Sequence, residues 1–517
     1  MPARSSLWLL AALGLLACEG SRAPVTDPPP PPPPPPGAYV VVAADALADV
    51  GAEFAAYRAS TGYVAETHTV TALGGAADVA TFAANVRAAL VAARAAAPAE
   101  SAGLHLLLLG AAPVGIPALA CTSTLGACET DNLYADVDGD GLPEAAVGRL
   151  PARTAAQARD YLAKLQAHEG PREPGLWHRR LGVYTGQANF GPEVDAAIEL
   201  AVMEGLKHVS HAFDVLGAYD NPNSAYYYDP FESKVLDLYD QGSLALVYVG
   251  HGSADWTEGI TTEQLGQVHC AHLRPFAVFL ACGNGAYTGP ADSIAATVLW
   301  KPDGPIASFG ASEESHPYGN GLYAYEMMRV LLDERPPTLG LAAQGARRAL
   351  VEHDDEFRQF LDTLARAEVT AAEQELIRHD HVNLYNYFGD PAAVAQLPSG
   401  AVNFAPVRPD LKARRATVTG RVPGMRQGTV LVTYEVERNV LLYDLAPVDP
   451  SAPDPATIQE NWRRAVDKVI AGATVPVTDG AFRADLTWTA VVPGGTTYLK
   501  AYAWNDTTDA AGFLAIE

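Results

Sequence analysis

Basic residues are scarce in this chain: 35 Lys and Arg stand against 60 Asp and Glu, for a net charge of −25 over 517 residues. That balance argues against nucleic acid or an anionic membrane surface as a direct partner and implies a soluble, self-repelling surface. Cysteine is scarcer still. There are five, Cys18, Cys121, Cys128, Cys270 and Cys282, so each has to be accounted for singly. Internal repeats are lacking, and so is any apolar run after the amino terminus long enough to span a bilayer. What the chain does have is 49% apolar residues, enough for sizeable cores, and a length that implies two or three domains.

The amino terminus reads as a targeting segment. Arg4 is followed by the apolar run Leu7–Ala17 and then Cys18. Leu15-Leu16-Ala17-Cys18 looks like a bacterial lipobox, so residues 1–17 are expected to be a lipoprotein signal and Cys18 the lipidated residue. Stable anchoring takes two or more acyl chains. Residues 18–37 are a linker with nine consecutive prolines, Pro28–Pro36, a polyproline II spacer. The expected location is a bacterial membrane, outer membrane or cell surface, reached through the lipid.

Residues 38–175 alternate buried-strand and helix patterns, including Tyr39–Ala43, a helix carrying Phe54 and Tyr57, and Leu104–Gly110. That order predicts a doubly wound, mainly parallel α/β subdomain. A second α/β subdomain is expected over 176–400. From about residue 404 the texture changes to short β-prone runs, predicting a C-terminal β-sandwich over 404–517.

The chemistry concentrates between Leu244 and Gly285. Two apolar runs, Leu244–Val249 and Ala277–Ala281, each end in a glycine-rich turn holding one reactive side chain, His251 and Cys282. Neighbouring parallel strands lie about 4.8 Å apart, and ligands bind beyond their carboxyl ends. The reading is a cysteine–histidine dyad, with Cys282 as nucleophile and His251 as base. The N–H groups of Gly252 and Cys282 are the candidate oxyanion donors. Asp255, Glu258, Glu263 or a carboxylate of the first subdomain can orient His251. His269, His272 and His316 are weaker candidate bases, and Cys270 reads as a buried structural thiol.

Cys121 and Cys128 bracket a short loop and are expected to pair as a disulfide. Asp136, Asp138, Asp140 and Glu144 carry hard oxygen ligands at a spacing that suits a structural Ca²⁺. No cofactor is expected in the chemistry.

The pieces YVGHGS (Tyr248–Ser253), FLACGNGAY (Phe279–Tyr287), DSIAATVL (Asp292–Leu299) and GPIASFGAS (Gly304–Ser312) resemble the gingipain-type cysteine peptidases, a caspase-like clan. So does the stretch from Thr130 to Pro151. The resemblance implies a caspase-like fold followed by an immunoglobulin-like domain, and endopeptidase activity on protein or peptide substrates. It carries the base to His251 and the nucleophile to Cys282. It also places Asp131 in the pocket for a basic P1 side chain. The loop after Ile306–Gly310, with Glu313, Glu314 and His316, would form part of the same pocket. Two rivals remain open: a sortase-like transpeptidase using the same dyad, and a non-catalytic surface binding protein.

Overall fold

The computed structural model describes residues 36–516, apart from 113, 114, 172, 188, 190, 450 and 451. The signal, the lipidation residue Cys18 and nearly all of the proline spacer therefore lie outside the described residues.

A single ten-stranded sheet organises the first 400 residues. Its strands are β1 (Pro36–Ala43), β2 (Val64–Thr69), β3 (Ala102–Leu109), β6 (Ala146–Leu150), β7 (Arg180–Thr185), β8 (Asp214–Tyr219), β9 (Ala245–Val249), β12 (Phe276–Leu280), β13 (Ala307–Ala311) and β14 (Tyr385–Phe388). Two small hairpins project from it: β4 (Leu119–Ser123) with β5 (Gly126–Thr130), and β10 (Trp256–Thr257) with β11 (Ile260–Thr261). The order across the sheet is β2-β1-β3-β6-β14-β13-β12-β9-β7-β8. Within each half the strands are parallel. The halves run in opposite senses and meet at β13 and β14, the one antiparallel pair in this sheet. The two expected α/β subdomains thus share one sheet. The late strand β14 is the seam, pairing with β13 at four positions and with β6 through Phe388 and Arg149.

The strands form where the sequence supplies runs that suit burial on both faces. Leu106–Leu109 and Phe276–Leu280 are at most 1% exposed, and helices cover both sides, as parallel sheets require. Contrary to the sequence reading, one helix after the amino terminus, Val79–Ala96, is long and apolar enough to cross a membrane by length and composition; it lays Phe82, Val86 and Leu90 against this core.

The remaining residues form an eight-stranded sheet that curls around its own core: β15 (Gly400–Ala401), β16 (Asn403–Phe404), β17 (Arg415–Arg421), β18 (Gln427–Val436), β19 (Val469–Thr478), β20 (Ala481–Thr487), β21 (Thr497–Trp504) and β22 (Asp509–Ile516). One extended stretch, 400–404, pairs with β22 through β15 and with β17 through β16, sealing both edges of a β-sandwich. A helix over Pro455–Val466 interrupts the strands, which the sequence texture did not suggest. Its Trp462 Nε1 donates to the Gly217 carbonyl on β8 at 2.8 Å, occupying the outer edge of the large sheet. Arg438 fastens the same face, donating to the carbonyls of Leu206, Val209, Ser210 and Phe213.

Burial pushes four histidines down: His105 to about 3, His168 and His381 to about 4, and His211 to about 2. In the unfolded chain each takes a proton near pH 6.5. The folded value lies below the unfolded one, so this stability is whole above about pH 6.5 and is lost as pH falls toward the folded values. Each such group contributes a slope of up to about 1.4 kcal/mol per pH unit. Urea unfolding midpoints are therefore expected to drop steeply between about pH 6.5 and pH 5. A flat profile there would contradict the neutral burial of these rings.

Candidate active site

β9 and β12 are parallel neighbours, paired from Ala245↔Phe276 to Val249↔Leu280. His251 and Cys282 each lie two residues past that last pair, so they leave the sheet on the same edge and at the same level. Both are half-buried. Gly283 turns the chain after the thiol with φ +66°, a left-handed conformation that suits glycine.

Two side chains hold these turns in place. From the thiol side, Asn284 is fully buried and donates its amide to the carbonyls of Ser253 and Trp256, the latter at 3.0 Å. It thereby staples the Cys282 loop to the His251 loop. A Cβ on Gly252 would sit 2.7 Å from that amide, so the glycine after His251 makes room for the staple. From the histidine side, Glu258 accepts the His251 backbone N–H at 3.2 Å, and its carboxylate lies 3.3 Å from the Tyr248 oxygen. Tyr248 gives its one proton to the His251 carbonyl at 2.5 Å and accepts the Glu258 backbone N–H at 3.1 Å. Burial raises the Glu258 carboxyl, opposed by the His251 N–H and by the charge of the His251 ring. Of the three loop carboxylates, Glu258 is the one that supports His251. Asp255 is bonded to the Ser253 hydroxyl at 2.7 Å and Glu263 is exposed. Glycines at 186 and 250 leave the space Glu258 fills, since a Cβ at either would collide with its carboxylate.

The Cys282 sulfur faces Ser315, whose N–H donates to it at 3.4 Å. Gly283 and Gly285 spend their N–H groups on the carbonyls of Glu313 and Ala311, at 3.0 and 2.7 Å. Those two bonds tie the nucleophile loop to the start of the loop after β13. Glu313 and Glu314 are exposed there, and burial together with Glu129 and Glu314 raises the Glu313 carboxyl. Asn284, Gly186 and Ser315 were missed as site residues in the sequence. The only signal available was Asn284 in the glycine turn directly after the thiol.

Asp131, expected beside the P1 side chain, is buried against a cation of the protein's own. It is 2% exposed and forms a two-pronged ion pair with Arg149, Nε to Oδ2 and Nη2 to Oδ1, both at 2.6 Å. Tyr287 adds its hydroxyl at 3.1 Å and lies under the guanidinium at 4.9 Å. His316 turns its Nδ1 to cap the helix Pro317–Arg329 through the Tyr318 N–H at 3.1 Å, and burial lowers its titration. His269 and His272 are exposed and sit beside Asp303 and Glu173. Cys270 is buried, its thiol raised far above its usual value by burial. Cys121 and Cys128 face each other across the β4–β5 hairpin and form the expected disulfide. Asp136, Asp138 and Glu144 bring ligand oxygens within 4.8 Å of one another, whereas Asp140 falls outside this cluster and accepts the Leu142 N–H at 2.8 Å.

Residues 32–396 match the model of peptidase family C25. The chain belongs to peptidase family C25. It is a cysteine peptidase with the gingipain fold. The solved structure of the Arg-specific cysteine proteinase gingipain R has a TM-score of 0.53 and 14% identity, covering 93% of this chain and 98% of that one. The complex of the pro- and mature domains of RgpB from Porphyromonas gingivalis has a TM-score of 0.53 at 14% identity, covering 92% and 99%. A further structure, described only as a protease, has a TM-score of 0.55 at 14% identity, covering 93% and 97%. No curated protein matches the chain.

In this C25 peptidase the Asp131–Arg149 pair is buried on both sides. Asp131→Asn is expected to cost about 3–5 kcal/mol in urea unfolding, because it strands a buried guanidinium. Its cleavage preference at P1 is expected to match that of the parent. A changed P1 preference with unchanged stability would show that Asp131 contacts substrate after all.

Proposed function

We propose that the chain is an exported, lipid-anchored cysteine endopeptidase whose nucleophile is Cys282 and whose base is His251. The observation that carries this reading is the pair of turns leaving neighbouring parallel strands at one level, one with the thiol and one with the imidazole. His251 takes the Sγ proton, and the sulfur pair attacks the scissile carbonyl carbon. The N–H groups of Gly252 and Cys282 receive the oxyanion. Collapse expels the amine, which takes the proton from His251, and leaves a thioester on Cys282. Water then gives its proton to His251 as it attacks the thioester, and that proton returns to the sulfur. Glu258 keeps the His251 backbone in register throughout.

The substrates are proteins or peptides. A basic P1 side chain suits the acidic rim of Glu129, Glu313 and Glu314 beside the nucleophile loop. The lipid on Cys18 and the proline spacer would hold the enzyme off an outer membrane or cell surface. The C-terminal sandwich is taken as the family's immunoglobulin-like domain.

A structural Ca²⁺ fits Asp136, Asp138 and Glu144. Asp136, Asp138 and Glu144 each accept one backbone N–H within this loop, leaving the second oxygen of each for an ion. Glu144 Oε1 is buried without a hydrogen bond, and Arg348 Nη2 lies 3.6 Å from it. Such a site would brace the loop that leads into β6.

Peptide-library cleavage by the full chain in detergent, with reducing agent and calcium, tests the reading. Cys282→Ala and His251→Ala are each expected to lose activity by at least about 10³-fold, as when a nucleophile or its base is removed. Retained cleavage by Cys282→Ala would overturn the reading, and products joined to an added amine would indicate transpeptidation. Chelation is expected to lower Tm by several degrees in the parent and not in Glu144→Gln. An equal Tm drop in both would remove calcium from this loop.

A further inference from the structure

Behind the Cys282 sulfur lies a buried polar chain that the dyad does not use. Around the sulfur, the Ser315 N–H is at 3.4 Å, its carbonyl oxygen at 3.7 Å and its hydroxyl oxygen at 3.8 Å. Asn320 Nδ2 donates to Ser315 Oγ at 2.9 Å, and the Tyr385 hydroxyl donates to Asn320 Oδ1 at 2.7 Å. Ser315 and Asn320 are each 6% exposed and Tyr385 is fully buried. The chain is anchored at its far end. Arg347, also fully buried, donates to the Tyr385 carbonyl at 3.3 Å, and Phe309 stacks on the Tyr385 ring.

The direction of these bonds follows from the donor inventory. Burial holds the Tyr385 phenol far above its usual titration, so it keeps its one proton and gives it to Asn320 Oδ1. The amide end of Asn320 then faces Ser315 and occupies a lone pair of Oγ. That leaves the Ser315 hydroxyl proton to be donated elsewhere. Two acceptors face it, the Tyr385 oxygen and the Cys282 sulfur. Once the thiol loses its proton, the anionic sulfur is the stronger acceptor.

We propose that Ser315 is a further catalytic residue. Its N–H and hydroxyl donate to the Cys282 thiolate, while Asn320 and Tyr385 are positioning residues that aim the hydroxyl at the sulfur. The inference rests on Cys282 being the nucleophile. The thiol proton goes to His251, and no proton leaves Ser315. When the sulfur pair becomes the S–C bond of the thioester, the Ser315 hydroxyl turns back to the Tyr385 oxygen. The same residue thus favours the thiolate and releases it on attack.

The test is the pH dependence of iodoacetamide alkylation at Cys282 in the full chain, read by mass spectrometry on the Cys282 peptide so that Cys270 does not contribute. In Ser315→Ala the alkylation midpoint is expected to rise by about one pH unit, with kcat/KM down roughly tenfold and KM little changed, the scale of one lost hydrogen bond to a charge. Ser315→Thr keeps the hydroxyl and is expected to stay near the parent in both readouts. Tyr385→Phe is expected to shift the midpoint in the same direction by less. A parental alkylation profile in Ser315→Ala would overturn the proposal, as would Ser315→Thr as impaired as Ser315→Ala. Cleavage surviving in Cys282→Ala would instead refute the nucleophile assignment beneath it.

Discussion

The buried ion pair of Asp131 and Arg149 is the constraint on which the catalytic edge depends. The guanidinium cannot be left alone in an interior this dry, so every donor is directed to an oxygen. Two go to Asp131, and others reach the carbonyls of Gly110, Ile116 and Pro117. The loops that follow β3 and β5 are thereby fixed to β6. Tyr287 then carries the connection across, because its hydroxyl meets Asp131 and its ring meets Arg149. Tyr287 belongs to the loop that carries Cys282, so one charge pair sets the position of that loop against the opposite half of the sheet.

Around His251 and Cys282 the work passes to individual hydrogen bonds. Asn284 ties the two loops together, Glu258 and Tyr248 brace the histidine backbone, and Ser315 holds the sulfur. Several of these contacts exist only because a glycine leaves room, at positions 186, 250 and 252. A glycine in such a turn serves the neighbour that fills its space as much as the backbone it bends.

Much of this was legible in the sequence. Apolar runs ending in glycine turns placed β9, β12 and their two reactive side chains, because buried parallel strands leave a continuous apolar signature. The Cys121–Cys128 pairing followed from proximity along the chain. What was not legible depends on partners that only the fold brings together. Asp131 reads as an available carboxylate until Arg149, eighteen residues later, is folded against it. Asp140 alternates with its neighbours in sequence, but its side chain turns to the Leu142 N–H. Glu258 could not be chosen from Asp255 and Glu263 because Gly186, in the turn after β7, decides it. The helix 455–466 was hidden by its position among strands, and its purpose is visible only against the edge of β8.

The seam strand β14 has a consequence for how the molecule is assembled. It contributes four residues near position 385, yet lies between β6 and β13, at the centre of the sheet. Until those residues have been synthesised and delivered, the two halves present bare inner edges, the kind of surface that pairs with foreign strands. The last part of the catalytic region to arrive closes its middle. The enzyme therefore matures from its flanks inward, and its catalytic edge acquires a rigid floor only once the chain has been made as far as Phe388. High sequence separation between partners makes such a closure slow, giving the peptidase an interval in which it is present but not yet assembled.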